Sequence, residues 1–372
     1  MDFNVEKNSF YKALSKIQIV AEKKTTSPIL ANTLIKGENN NLKLFSTNLE
    51  IGIKLQIEAN IITPGEICIP SQKIFEIVRE LFSDEIHIES MDNFWVKVVS
   101  GRSLFQLAGI DPVEYPVETD ISNVKFFDID KKLFMEMIDK TAFASSNEES
   151  RFNLNGISVS VNNENDKKNL LMVATDGHRL ALIEREIQTD LEIEDKIIVP
   201  KKGFIELRKI FHDSGDTIKV GLTQKELIIK MDDDLITIRL LEGEYPNYQR
   251  VIPTDNDKSF IVKKDDLIRA LRRVSIMISD RDEGIIFSIK EGELILHTNS
   301  GSNEIGFAKD ILDIEFTGEP LDIAFNARYL IEALQTIDSE KIIFELKDGE
   351  SAGLVKGENE EKHLNIIMPM RI

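Results

Sequence analysis

The chain has 372 residues, 42% hydrophobic and 30% charged, with a net charge of −19. That length exceeds one ordinary hydrophobic core and predicts two or three domains. No apolar run reaches the roughly 20 residues of a membrane helix, and a lone cysteine, Cys68, excludes a disulfide framework or a multi-thiolate metal site. The start, "MDFNVEKNSF", mixes acidic, basic and polar residues and does not read as a secretory signal, so the cytoplasm is the expected compartment.

In chain order, "VEKNSFYKALSKI" (5–17) sets Phe10, Ala13, Leu14 and Ile17 at helical spacing. "FSTNLEIGI" (45–53) is strand-like. "IPSQKIFEIVRELF" (69–82) opens a second helix at Pro70, with Ile74, Val78 and Leu81 on one face, and "DPVEYP" (111–116) closes the set. The series then repeats. "IDKKLFMEMIDKTAF" (129–143) is amphipathic and "VATDGHRLAL" (173–182) strand-like, while "VPKKGFIELRKIF" (199–211) opens at Pro200 and carries Phe204, Leu207 and Phe211. Hairpins follow, turning near Gln224–Lys225 and again at Asp232–Asp234, and "EGEYPNY" (242–248) ends the copy. The third pass runs through "VKKDDLIRALRRVSI" (262–276), a hairpin turning at Glu291–Gly292, strand-like "LHTNSGSNEIGF" (296–307), a helix over 324–337 and "IIMPM" (366–370). Thr47, Thr175 and Thr298 mark one point in each copy, at offsets of 128 and 123 residues. Three similar α+β modules, 1–120, 121–252 and 253–372, are therefore predicted, each with two helices plus antiparallel sheets.

Charge is not evenly spread over this pattern. The helix windows 6–17, 71–81, 130–142, 200–212, 263–274 and 326–337 hold 18 Lys and Arg against 10 Asp and Glu, leaving the rest of the chain at −27. The total of −19 argues against a polyanion partner. Its distribution suits a body whose helices face one, because phosphates attract Lys and Arg without regard to base sequence. Helix surfaces also tolerate such residues as a solvated face, so the excess is not decisive alone.

Enzymatic motifs are missing. Gly301 and Gly306 have the spacing of a phosphate loop but lack its lysine. His87, His178, His212, His297 and His363 are scattered without a zinc-binding pattern, and Cys68 sits in a β-like run that suits a buried hydrophobe. No cofactor is expected. The stretch "ATDGHRLALI" (174–183) does bring Asp176, His178 and Arg179 together. In a strand Asp176 and His178 would share a face, which allows a hydrolase reading, although no Ser or Cys nucleophile accompanies them. The competing reading is a polar rim around an apolar surface, with Arg179 as a donor fork for a partner's carboxylate or carbonyl.

Three tandem modules with "ATDGHRLAL", "VPKKGFIEL", "EYPNYQRVIP" (244–253) and terminal "MPMRI" (368–372) resemble the bacterial sliding clamp, the beta subunit of DNA polymerase III. The resemblance spans the chain. It implies a non-enzymatic head-to-tail homodimeric ring with helices lining the hole and sheets forming the wall. Its partners would be encircled double-stranded DNA, the DNA polymerase III alpha subunit, a clamp-loader ATPase and other clients. A client-peptide pocket is implied at Leu154, Thr175, Gly177, His178, Arg179, Leu180, Pro246, Arg250, Val251, Ile366, Met368, Pro369, Met370 and Arg371. DNA contact is implied at Lys24, Gln72, Lys73, Phe152, Asn153, Lys201 and Lys202, and ring closure at Arg102 and Phe105 against Ile276 and Met277. The chain departs from the family pattern in Asn153, where aromatics are common, and in the segment 299–311, whose only acids are Glu304 and Asp310. A monomeric three-domain peptide-binding adaptor is the alternative architecture.

Overall fold

The computed structural model describes residues 1–21, 27–164, 167–193, 195–211, 215–278, 284–299 and 306–371. Helices form in all six predicted windows: α1 (Lys7–Val20), α2 (Ser71–Glu80), α3 (Lys131–Asp139), α4 (Lys201–Ile210), α5 (Lys264–Ser275) and α6 (Ala327–Thr336). Their ends obey local chemistry. The Glu6 carboxylate accepts from the N–H groups of Asn8 and Ser9, and Asn326 caps α6 by accepting from Arg328 and Tyr329 N–H. In α5 acids occupy the first turn and Arg272 and Arg273 the last, as the helix dipole favours.

The chain forms two compact units, Met1–Lys132 with Lys202–Leu240, and Leu133–Lys201 with Leu241–Ile372. In the first, an eight-stranded sheet runs from Phe126–Asp130 at one edge through Ile51–Glu58 and Asn41–Thr47 to Gly65–Pro70. A five-stranded sheet ends on Ser103–Ala108. Helices α1 and α2 lie together, with Tyr11 stacked on Phe75 and Phe10, Leu14, Ile17, Ile74 and Val78 buried beneath. The second unit has a nine-stranded sheet containing Lys167–Thr175, Arg179–Ile187 and His363–Ile367, and a four-stranded sheet ending on Lys309–Asp313. Its core stacks Phe260 on Phe344 at 4.7 Å, with Phe287 and Phe325 alongside.

The triplication is visible in single hydrogen bonds. The first backbone N–H of α1, α3 and α5 donates in each case to a carbonyl just ahead of a strand: Lys7 to Asp84 (2.8 Å), Lys131 to Asp216 (2.9 Å) and Lys264 to Glu340 (2.9 Å). Three sequences with little identity have arrived at one helix–strand junction.

Two expectations need correction. The strand-like trio is not three strands. Residues 45–53 and 173–182 are hairpins, whose strands Asn41–Thr47 and Lys167–Thr175 end at the shared threonine and resume at Ile51 and Arg179. In the third copy a strand ends at His297, and 300–305 lie outside the described residues, as does Glu304. The charge count also overstated the cations that helices present outward. The Nζ of Lys7 donates to the Leu81 carbonyl, that of Lys264 to Ile337, and Lys16 pairs with Asp234, so these amines close gaps between elements.

Lys140 is a further example, and it carries a testable consequence. Its buried ammonium lies 2.7 Å from Asp338, 3.1 Å from Glu360 and 3.3 Å from Glu136. Glu360 also accepts from the N–H groups of Asp338 and Ser339 and sits 3.1 Å from Nδ1 of buried His363. Burial pushes the Glu360 carboxyl up, but His363, the Ser339 N–H and Lys140 outweigh it and bring its pKa from 4.5 to about 2. A carboxyl whose folded pKa is depressed contributes stability above its unfolded value, and loses it as pH falls through the folded one. Glu360→Gln should therefore be less stable at pH 7 by about 2–3 kcal/mol. In denaturant titrations followed by circular dichroism, that deficit should shrink between pH 4.5 and pH 2. A deficit independent of pH would contradict the assignment.

Candidate functional site

A threonine and the residue after it build the turn at 176–178. Thr175 Oγ1 donates to the Arg179 carbonyl and accepts the Gly177 N–H, while Asp176 Oδ1 accepts the N–H groups of His178 (2.9 Å) and Arg179 (3.0 Å). The first copy repeats each bond: Thr47 with Ile51 and Leu49, and Asn48 with Glu50 and Ile51. No histidine or arginine follows there, so the Asp176 carboxylate serves the turn. This overturns the hydrolase geometry. Asp176 gives its second oxygen to Arg179 Nε at 3.1 Å, and the exposed His178 ring lies 6.5 Å from that of Tyr329.

Gly177 stands at φ +90°, where an L side chain is strained, and an added Cβ would come within 2.8 Å of Arg151 Nη1. That guanidinium donates to the Asp176 carbonyl at 2.6 Å. Gly177→Ala should cost about 1–2 kcal/mol from the backbone alone. A lowered urea midpoint with an unchanged m-value would report it.

Beside this turn lies an open cleft of about 140 Å³. Leu154, Thr175, Gly177, Arg179, Leu180, Pro246, Val251, Ile366 and Met368, all expected from the resemblance, line it. Asn247 and Tyr248 line it too and were not foreseen. Their segment reads in the sequence only as a module end. Beneath the cleft an apolar layer of Leu171, Val173, Leu182 and Leu354 supports Leu180 and Ile366. Tyr245 fixes the linker by accepting the Thr175 N–H at 3.0 Å, and burial pushes its phenol well up. In the first copy the equivalent Tyr115 accepts from Thr47 N–H, but the Phe45 ring stands where the second copy has Val173 and closes over Gly52.

Arg179 differs most from its expected role. It is only 7% exposed, and its donors are occupied: Nε on Asp176, Nη1 on Glu332 and Nη2 on the Phe143 carbonyl at 2.8 Å. It borders the cleft as a fixed wall, with each of its three nitrogens bonded within the chain. The remaining expected residues stand outside the lining. His178 contributes its carbonyl, which accepts the Met368 N–H at 2.9 Å. Arg250 and Arg371 are exposed, Pro369 is half-buried, and Met370 N–H donates to Ala324, away from the lining.

The residues linked to DNA are unevenly placed. Lys24 lies outside the described residues. Gln72 and Lys73 stand exposed on α2, both bonded to Glu76, and Lys202 is exposed 3.9 Å from Glu50. Phe152 is exposed. Asn153 instead donates to the Glu244 carbonyl, and half-buried Lys201 turns to Asn147 and Ser145, with burial lowering its pKa. Both side chains bond within the chain and remain half-buried. At the sheet ends, Arg102 precedes and Phe105 lies within an edge strand whose Leu104 is 59% exposed. Ile276 is 74% exposed after α5, with Met277 half-buried next to it. Ile311, on the other edge strand, is 49% exposed and was not foreseen. Asp310 beside it pairs with Arg273 at 2.7 Å.

A repeated α+β body with an apolar cleft, beside a turn that commits the Asp176 carboxylate to backbone N–H groups, is the class the fold and site define. Family models name it more closely. The N-terminal, central and C-terminal domains of the DNA polymerase III beta subunit match residues 1–119, 128–247 and 249–371. The chain belongs to that family. It is 31% identical over 374 residues to the beta sliding clamp of Caulobacter vibrioides, with all of both chains covered. A solved DNA polymerase sliding clamp from Caulobacter crescentus superposes with a TM-score of 0.95 at 30% identity, covering both chains fully. The DNA polymerase III subunit beta from Pseudomonas aeruginosa gives 0.94 at 29%, again over both full chains.

Proposed function

We propose that this protein is a sliding clamp: two copies close head to tail around duplex DNA and tether the replicative polymerase, conferring processivity. The observation that carries this reading is the end-to-end match to bacterial beta sliding clamps, with all three domain models in order. The protein has no catalytic role of its own. Its three modules divide near 1–120, 121–252 and 253–372, and it works in the cytoplasm, where bacterial DNA lies.

Ring closure follows from sheet chemistry. Ser103–Ala108 and Lys309–Asp313 are terminal strands of different sheets, and each displays apolar side chains. Such edges invite pairing unless covered. Joining the first edge of one copy to the second edge of another makes a head-to-tail contact that closes after one rotation. Arg102 and Phe105 then meet Ile276 and Met277 of the partner subunit's equivalent surface. Exposed helix cations such as Lys73 and Lys202 attract phosphates weakly, which permits sliding. A polymerase or other client inserts a short peptide into the cleft, whose Met368 is adaptable apolar surface. Tethering replaces repeated capture by a high local concentration of polymerase at the primer end. Opening the ring falls to a clamp-loader ATPase.

Sedimentation equilibrium tests the assembly. The expected mass is twice the 42.3 kDa of one chain. A lone-chain mass at micromolar concentration would contradict the ring and favour a monomeric adaptor.

A further inference from the structure

Each nitrogen of the Arg179 guanidinium is already bonded inside the protein, yet the residue lines the cleft. Something must therefore set where that guanidinium stands. Asp176, three residues before it in the chain, is committed to the turn by two backbone N–H groups. The Phe143 carbonyl receives one Nη. The remaining Nη1 ends on Glu332, which projects from α6, far along the chain from the turn. Glu332 is itself steadied by Arg328 one turn earlier, at 2.9 Å. Tyr329 adds a flat face, its ring centroid 4.4 Å from the Arg179 guanidinium carbon, and Phe143 a second at 5.2 Å. Neither Glu332 nor Tyr329 lines the cleft.

We propose that Glu332 is a positioning residue for client binding: it anchors Arg179 to α6 and so holds the cleft wall from the third module. The residue touches no client. Its effect passes through one guanidinium, whose movement would shift Gly177 and Leu180 on either side of it. The inference rests on the reading of the cleft as the client site.

The test uses the full-length protein and a fluorescein-labelled peptide carrying the cognate polymerase's clamp-binding segment. Glu332→Ala should bind it about tenfold more weakly, while dimer mass stays unchanged. Glu332→Gln, which keeps an oxygen for Arg179 and packs alike, should fall between that variant and the parent, and serves if the alanine variant folds poorly. The decisive reading is a double-mutant cycle. Arg179→Ala with Glu332→Ala should bind no more weakly than Arg179→Ala alone, because Glu332 acts only through the arginine. Losses that simply add would show a general structural role and overturn the proposal, as would parental affinity in both Glu332 variants. Met368→Ala separates the role of the cleft from that of Glu332. If it weakens binding while the Glu332 variants do not, the positioning role alone falls; if it leaves binding intact, the cleft reading falls and takes this proposal with it.

Discussion

Replacing Arg179 by alanine should weaken client-peptide binding by about a hundredfold and cost about 3 kcal/mol of stability in the unit that holds the cleft. The size follows from what the side chain leaves behind. Glu332 and the second oxygen of Asp176 would lose their cation, the Phe143 carbonyl would lose its donor, and Tyr329 and Phe143 would face a void. Removing one partner of a buried ion pair is far costlier than never having built it, because the remaining charge stays desolvated. Lysine is no substitute. A single ammonium cannot reach three acceptors in one plane or lie flat between two rings. Fluorescence anisotropy with the labelled peptide and urea unfolding measure the two effects. Near-parental values in both would mean that the wall holds itself.

Ile276→Asp should have the second large effect, on assembly and not on folding. The side chain is 74% exposed in one chain, so a carboxylate there should change its stability by less than about 0.5 kcal/mol. In the proposed ring the same position is covered, and an unpaired buried carboxylate would cost several kcal/mol at each of two identical contacts. The dimer dissociation constant should rise by about a thousandfold. Phe105→Asp should reproduce it from the opposite edge. Sedimentation would show folded single chains near 42.3 kDa. A variant that stays dimeric would place ring closure elsewhere.

These effects concentrate where the sequence was hardest to read. Helices were legible because their apolar stripes are local: Phe10, Leu14 and Ile17 lie on one face within two turns, and all are buried. The turn at 176–178 was read as strand because Val173, Ala174, Leu180 and Ala181 surround it with apolar residues. Its Asp-Gly pair, a strong hairpin signal, was the better guide. Helix cations could be counted, but their direction could not. Lys140 looks like any surface lysine until Asp338 and Glu360, remote in the chain, are folded against it. The same distance hid Glu332 from Arg179. The cleft lining was recovered largely through family resemblance, since Leu154, Pro246 and Ile366 share no local pattern. Tyr248 was missed because nothing near it in the chain tells a buried tyrosine from a linker residue.

The claim that matters most is that DNA is held by enclosure. With the cognate loader and ATP, the protein should remain on a nicked circular plasmid through gel filtration in moderate salt. Cutting that plasmid once should release it, because a ring slides off free ends. Retention on the linear molecule with both ends open would mean that the protein grips DNA directly, and would contradict the account.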